Sequence, residues 1–314
     1  MLVIQEHQLM RLIQELKCLL PQSFPILKVA ENLLSKNAFA WPGIEFVVDR
    51  FPKFTACVVR PKPGENTDYI PRRNHYMYNV VASDECCFKN LLEQPEVINW
   101  TRSCFFQAVP ENLVNAIKEV GAKFGIVIGT ETHPEFASTG WLVKAANASL
   151  NVSFSVPDGY SVRQISREDV ETVAKLWHFG GGTSDTVEYM RYLHDRDFPM
   201  TGMYSPQNDL IGFAFCSAQM CIVAGFVKPE HRGHGYFTLI LADLVKKMQA
   251  LGHDVIPLFV AEDNLSSEKS VVRIGGEKIR DWKVTSLHYE PAQPDMNDPL
   301  VVWYRNIYGR RSAD

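Results

Sequence analysis

Val227-Lys-Pro-Glu-His-Arg-Gly-His-Gly-Tyr-Phe237 stands between an apolar run, Met220–Val227, and a segment in which Phe237, Ile240, Leu241, Leu244, Val245, Met248 and Leu251 recur at helical spacing. The run predicts a strand, and the recurrence predicts an amphipathic helix that Gly252 stops. A helix start leaves backbone N–H groups without partners and carries a partial positive charge. Gly233 and Gly235 have no Cβ, so the backbone there can approach an anion, and Arg232 adds a fixed cation. Together these features make a site for a phosphate or pyrophosphate. Two other phosphate loops fit less well. A Walker A loop needs lysine after its last glycine, and Tyr236 follows Gly235. A dinucleotide fingerprint needs a third glycine where Thr238 stands. The competing structural reading is a solvated strand–helix turn with glycines for geometry.

Working outward, the chain has 314 residues, 46% hydrophobic content and 22% charged residues, which predicts two packed domains rather than disorder. A net charge of −4 argues against a nucleic-acid partner, and the basic run Arg305–Arg311 reads as a solvated tail. Seven cysteines, an odd count without a C-x-x-C pair, predict neither a disulfide framework nor a zinc site, so no metal is expected. Free thiols suit a reducing compartment. Met1–Leu20 lacks the uninterrupted apolar core of a signal peptide, and no run is long enough to span a membrane. The expected location is intracellular and cytoplasmic, with the mitochondrion as the alternative.

The first half mixes helices and strands. Leu9, Leu12, Ile13, Leu16, Leu19 and Leu20 mark a helix that Pro21 ends, and a second helix follows over Phe24–Ser35. Residues 43–48, 55–60, 76–82, 104–109 and 124–128 read as strands, and 86–93 and 110–123 as helices. Thr132–Pro157 has little pattern, and a domain boundary is placed near Ser155, giving domains 1–155 and 156–314. The second half predicts strands at 160–165, 201–204, 210–217, 220–227 and 255–261, with helices after Ser166, over 184–194 and after the loop.

The loop resembles the coenzyme A pyrophosphate loop of the GNAT superfamily, Arg/Gln-x-x-Gly-x-Gly/Ala preceded by Val-x-Pro. Val227, Pro229, Arg232 and Gly235 match, and Phe237 stands where Gly or Ala is usual. Three further segments are similar to glycine N-acyltransferases: Trp177-His-Phe-Gly-Gly181, Val47-Val-Asp-Arg-Phe-Pro52 and Pro95-Glu-Val-Ile-Asn-Trp100. The matches run in order along most of the chain. The resemblance implies an α/β (α+β) fold with a GNAT-type mixed sheet flanked by helices, and an N-terminal domain that is a candidate degenerate copy. It implies acyl-CoA or coenzyme A as co-substrate, held by Phe226, Val227, Arg232, Gly233, His234, Gly235, Tyr236, Phe237 and Asn264, and a small-molecule amine such as glycine as acceptor. Asn264 is equally a helix N-cap candidate.

The reaction needs a base for the amine. The family's glutamate on the strand before the loop has no counterpart in Gln219–Ala224, and no tyrosine stands near Val271, where the superfamily's tyrosine is expected. Glu230 and His231 are candidate replacements, with solvated loop residues as the competing reading. Trp177 and His178 fall where the resemblance implies a substrate-facing loop, with core packing as the alternative. Arg163, Arg191 and Arg273 are candidates for an acceptor carboxylate. Two other functions stay open: a non-catalytic acyl-CoA sensor, and a protein or peptide acetyltransferase.

Overall fold

The N-terminal helices form as their spacing predicts. Helix α1 (Leu9–Lys17) buries Leu9, Leu12, Ile13 and Leu16 on one face, and α2 (Phe24–Ser35) buries Phe24, Ile26, Leu27, Val29 and Ala30. Lys36 adopts a left-handed conformation (φ 49°) and ends α2. The computed structural model describes residues 1–41, 43–63, 76–126, 136–144, 155–291, 293 and 295–311.

The chain packs as two compact units, residues 1–138 with 282–314, and residues 139–281. In the first, β1 (Leu2–Val3), β2 (Ile44–Val48), β3 (Ala56–Pro61) and β4 (Met77–Ala82) pair antiparallel in sequence order. Helix α3 (Glu85–Leu92) then carries the chain to β5 (Cys104–Pro110), which is parallel to β4, and α4 (Glu111–Lys123) follows. Phe88, Leu91, Phe106, Leu113, Ile117 and Val120 fill the core between these helices and strands.

Strand β6 (Phe136–Lys144) has its residues from Thr139 onward in the second unit. That unit continues with β7 (Ser161–Arg163), α5 (Val170–Leu176), α6 (Ser184–Asp195), β8 (Met200–Tyr204), β9 (Leu210–Cys216) and β10 (Ile222–Val227). Helix α7 (Tyr236–Ala250) leads to β11 (Val255–Ala261), which is followed by α8 (Leu265–Arg273) and β12 (Gly276–Tyr289). The sheet order is β6-β11-β10-β9-β8-β7, with β10 and β11 parallel and the β7 to β10 pairs antiparallel. Residues 282–289 of β12 belong to the first unit, where they pair antiparallel with β5.

In chain order the elements from β1 to β6 and those from β7 to β12 repeat one succession: strand, two helices, three strands, helix, strand, helix, strand. The repeat turns over between Lys144 and Ser161, the interval containing Ser155, whereas the packed units divide at 138/139 and again at 281/282. The last strand of each copy accounts for the difference.

Three local expectations are corrected. Phe124–Ile126 is not a strand: Gly125 (φ 75°) closes α4 as its amide and those of Phe124 and Ile126 fold back on Ala122 and Gly121; residues 127–128 lie outside the described residues. The weakly patterned stretch before Ser155 contains β6. The basic C-terminus is the end of a helix, α9 (Pro299–Arg311), which buries Leu300, Val301, Trp303, Tyr304 and Ile307. All seven cysteines are free thiols, and no helix among the described residues is long and apolar enough to cross a membrane.

Candidate functional site

The second unit's sheet opens between β10 and β11. Strand β10 pairs with β9 as far as Val227 and Gly212, but its parallel ladder with β11 is confined to Ile222 and Leu258. Beside that pair the register against β9 shifts between Ile222 and Ala224, placing a bulge at Val223. A bulge increases local twist and interrupts pairing. Past it, residues 223–227 and 259–261 have no ladder to each other among the described residues. The wedge between them is a cavity of about 130 Å³. Its walls are Val223–Phe226 on one strand, Phe259–Ala261 on the other, Phe237 and Leu241 of α7, and Trp177–Phe179.

A second cavity of about 430 Å³ lies at the start of α7. The two adjoin, sharing Gly225, Phe226, Phe237, Asn264 and Ser267. Gly233 (φ 84°) and Gly235 (φ 80°) take the left-handed conformation that side chains disfavour, although a Cβ on either would meet open space. Here backbone angle, not crowding, calls for glycine. Helix α7 has no side-chain cap. The amides of Thr238 and Leu239 bond the Gly235 carbonyl at 3.0 and 3.3 Å, while those of residues 233–237 have no protein acceptor among the described residues. Arg232 Nε donates to the Val227 carbonyl at 3.0 Å, tying the guanidinium to the loop's base. Arg232, Lys269 and Arg273 give the cavity its positive charge, and no carboxylate lines it among the described residues.

The expected coenzyme residues divide as follows. Phe226, Val227, Arg232, Gly233, Gly235, Tyr236, Phe237 and Asn264 all line the loop cavity. His234 is exposed and stacks on Tyr236 with ring centroids 5.5 Å apart, outside the lining. Tyr236 contacts Tyr160, and burial together with their hydrogen bond raises its phenol pKa. The Phe237 ring lies where a Cβ on Gly225 would come within 2.3 Å of it, so Gly225 makes room for the aromatic that stands in place of a small residue. Asn264 combines both expected roles: its carboxamide accepts from Ser267 N at 3.1 Å, capping α8, and it lines both cavities.

Trp177 is buried, edge-on to Phe215 with centroids 5.1 Å apart, and it also lines the wedge. His178 opens a one-turn 3-10 helix after α5 and is exposed on the wedge wall. Glu230 is exposed and lines neither cavity, whereas His231 lines the loop cavity. Of the three arginines considered for a carboxylate, Arg273 lines the loop cavity, while Arg163 bonds Asn208 and stacks over Tyr204. Cys221 is buried with its thiol directed to the Gln219 carbonyl at 3.5 Å.

Sequence reasoning singled out Arg273 of α8 for an acceptor carboxylate but missed the rest of this face. Ser266, Lys269, Ser270 and Arg273 all line the loop cavity, and their i, i+3, i+4, i+7 spacing places them on one polar helix face. That periodicity was the available signal, but polar faces usually point to solvent.

Residues 1–195 match the family described as aralkyl acyl-CoA:amino acid N-acyltransferase. A glycine N-phenylacetyltransferase of Bos taurus is 25% identical over 269 residues, 82% of this chain and 88% of its own. A glycine N-acyltransferase of Homo sapiens is 25% identical over 270 residues, 81% and 88% of the two chains. Among solved structures, a Drosophila protein superposes with a TM-score of 0.75 at 16% identity, covering 93% of this chain and 99% of that one. A tandem GNAT protein from the clavulanic acid biosynthesis pathway superposes with a TM-score of 0.51 at 13% identity, covering 94% and 98%. At these identities the structures speak for the fold alone, and the fold is that of the GNAT acyltransferases. With the family match spanning more than half its length, the chain belongs to the aralkyl acyl-CoA:amino acid N-acyltransferase family.

Proposed function

We propose that this protein transfers an acyl group from acyl-CoA to the amine of glycine or another small amino acid. The observation carrying the reading is the pair of adjoining cavities, one cationic at an uncapped helix start and one apolar between splayed strands. The amides of residues 233–237 and the guanidinium of Arg232 suit a pyrophosphate. Lys269 and Arg273 on α8 suit the remaining phosphate of the nucleotide. From there the pantetheine arm follows the free edge of β10 past Gly225 to the wedge, where backbone amides can polarise the thioester carbonyl. The aromatic walls of the wedge suit an aryl or short apolar acyl group, in keeping with the name of the bovine relative. The amine approaches along Trp177 and His178.

A second reading, a non-catalytic acyl-CoA-binding protein, is favoured by one observation: no carboxylate lines the wedge among the described residues. Incubating the protein with a panel of acyl-CoAs and amino acids, with mass spectrometry of the products, separates the two. An N-acyl amino acid supports the transferase. Tight coenzyme binding with no product from the panel supports the binding protein.

A further inference from the structure

Amide formation from a thioester requires a neutral amine, and an amino acid arrives at neutral pH as an ammonium. Some group must accept its proton near the reacting carbon. The wedge between β10 and β11 is lined by apolar and aromatic side chains apart from Asn264, Ser267 and His178. Among the described residues, His178 is the one titratable side chain in that lining.

The chain places this side chain with care. Gly180 packs so closely that a Cβ there would lie 2.9 Å from the Trp177 ring and 3.0 Å from Thr186 Cγ2. Thr186 Oγ1 donates to the Gly180 carbonyl, and Thr183 caps α6 through the Thr186 amide at 3.2 Å. Gly181 (φ 68°) and Gly182 (φ 64°) complete the turn in left-handed conformations. Trp177 is thereby anchored inward and His178, the next residue, is held on the wedge wall with access to water. Its ring meets Phe179 edge-on, with centroids 5.0 Å apart.

Resting on the proposed transferase activity, we propose that His178 is the general base of the reaction. An imidazole titrates near neutrality, so its neutral form is available to take a proton and its charged form can release it to solvent. His178 takes the ammonium proton, and the freed lone pair forms the C–N bond to the thioester carbon. The C–S bond breaks with its electron pair on sulfur, and the proton lost from the attacking nitrogen neutralises the thiolate. One proton per turnover leaves through His178 to water. Charged groups on the flanking elements are Glu171 and Lys175 of α5, which pair at 3.0 Å, the buried Asp185 and exposed Glu188 and Arg191 of α6, Arg232 and His231 at the loop, and Glu268, Lys269 and Arg273 of α8. None of these lines the wedge.

The test compares the full-length protein with its His178→Ala and His178→Gln variants, using an acyl-CoA and amino acid that the wild type joins. Loss of a general base lowers kcat by roughly 10²- to 10⁴-fold. Coenzyme A affinity by calorimetry should stay unchanged in both variants. The wild-type kcat/KM should fall as acid protonates the imidazole, and this acidic limb should vanish in both variants. Added imidazole should restore part of the His178→Ala rate. A variant that keeps kcat and the acidic limb, changing only KM for the amine, overturns the proposal and leaves the transferase reading intact. A wild type that binds coenzyme A but joins no acyl-CoA and amino acid overturns both.

Discussion

The two copies of the strand–helix–strand crossover, β4–α3–β5 and β10–α7–β11, share a topology and differ at the helix start. In the first, Ser83 and Asp84 alone connect strand to helix, and the Asp84 carboxylate accepts from Cys87 N at 2.8 Å. In the second, residues 228–235 intervene and Gly235 occupies the cap position with no side chain to bond the amides. The gaps between the parallel strands differ in the same sense. Asn79 Nδ2 bonds the Gln107 carbonyl at 3.0 Å across the β4–β5 pair, whereas the β10–β11 wedge stays open. A carboxylate at a helix N-terminus fills the place an anionic ligand would take. The crossover occurs twice, and a few residues decide which copy leaves its helix start uncapped.

The comparison is broken most directly by Arg232→Glu. A hydrogen bond between charged groups is worth ~1.5–3 kcal/mol, so reversing the charge should weaken coenzyme A binding by roughly 100-fold in calorimetry. Arg232 is exposed, so the melting temperature should hold. Unchanged affinity would remove this loop as the coenzyme site. Gly235→Val comes next. A β-branched residue at φ 80° should cost ~1–2 kcal/mol in denaturant unfolding and weaken coenzyme binding with it.

Asp84→Ala sharpens the other side. Loss of a helix cap costs ~1 kcal/mol of stability, while calorimetry should still find one coenzyme per chain. A second equivalent in that variant would mean that the cap alone closes the first copy. Asn264→Ala should likewise lose ~1 kcal/mol from the α8 cap, and it should weaken coenzyme binding only modestly if, as proposed, backbone amides make the phosphate contacts.

Much of this was legible in the residues. The loop from Val227 to Phe237 announced itself because glycines, a cation and a helix start are local features. Helix α2 and β11 occupy the predicted intervals for the same reason, since spacing and β-branched content act over a few residues. The strand β6 was missed because both its faces are buried from Thr139 to Val143, which removes the alternation that marks a half-exposed strand. Helix α9 was hidden by its terminal arginines, although Trp303 and Tyr304 are packed inward. Ser266, Lys269 and Ser270, which face the loop cavity from α8, were equally out of reach, because a polar helix face looks the same toward solvent or toward a cavity.

By itself the sequence determined the glycine-bearing loop and the helix that follows it, on which the proposed anion site rests. Only the tertiary structure decided what surrounds that loop. It set α8 across from the loop, put Phe237 over Gly225, opened β10 from β11 at the Val223 bulge, and left His178 as the ionisable group on the wedge wall. The reason is one of range: caps and turns are settled by neighbours along the chain, whereas a cavity is made by residues far apart in sequence, whose meeting depends on how the packed core closes around them.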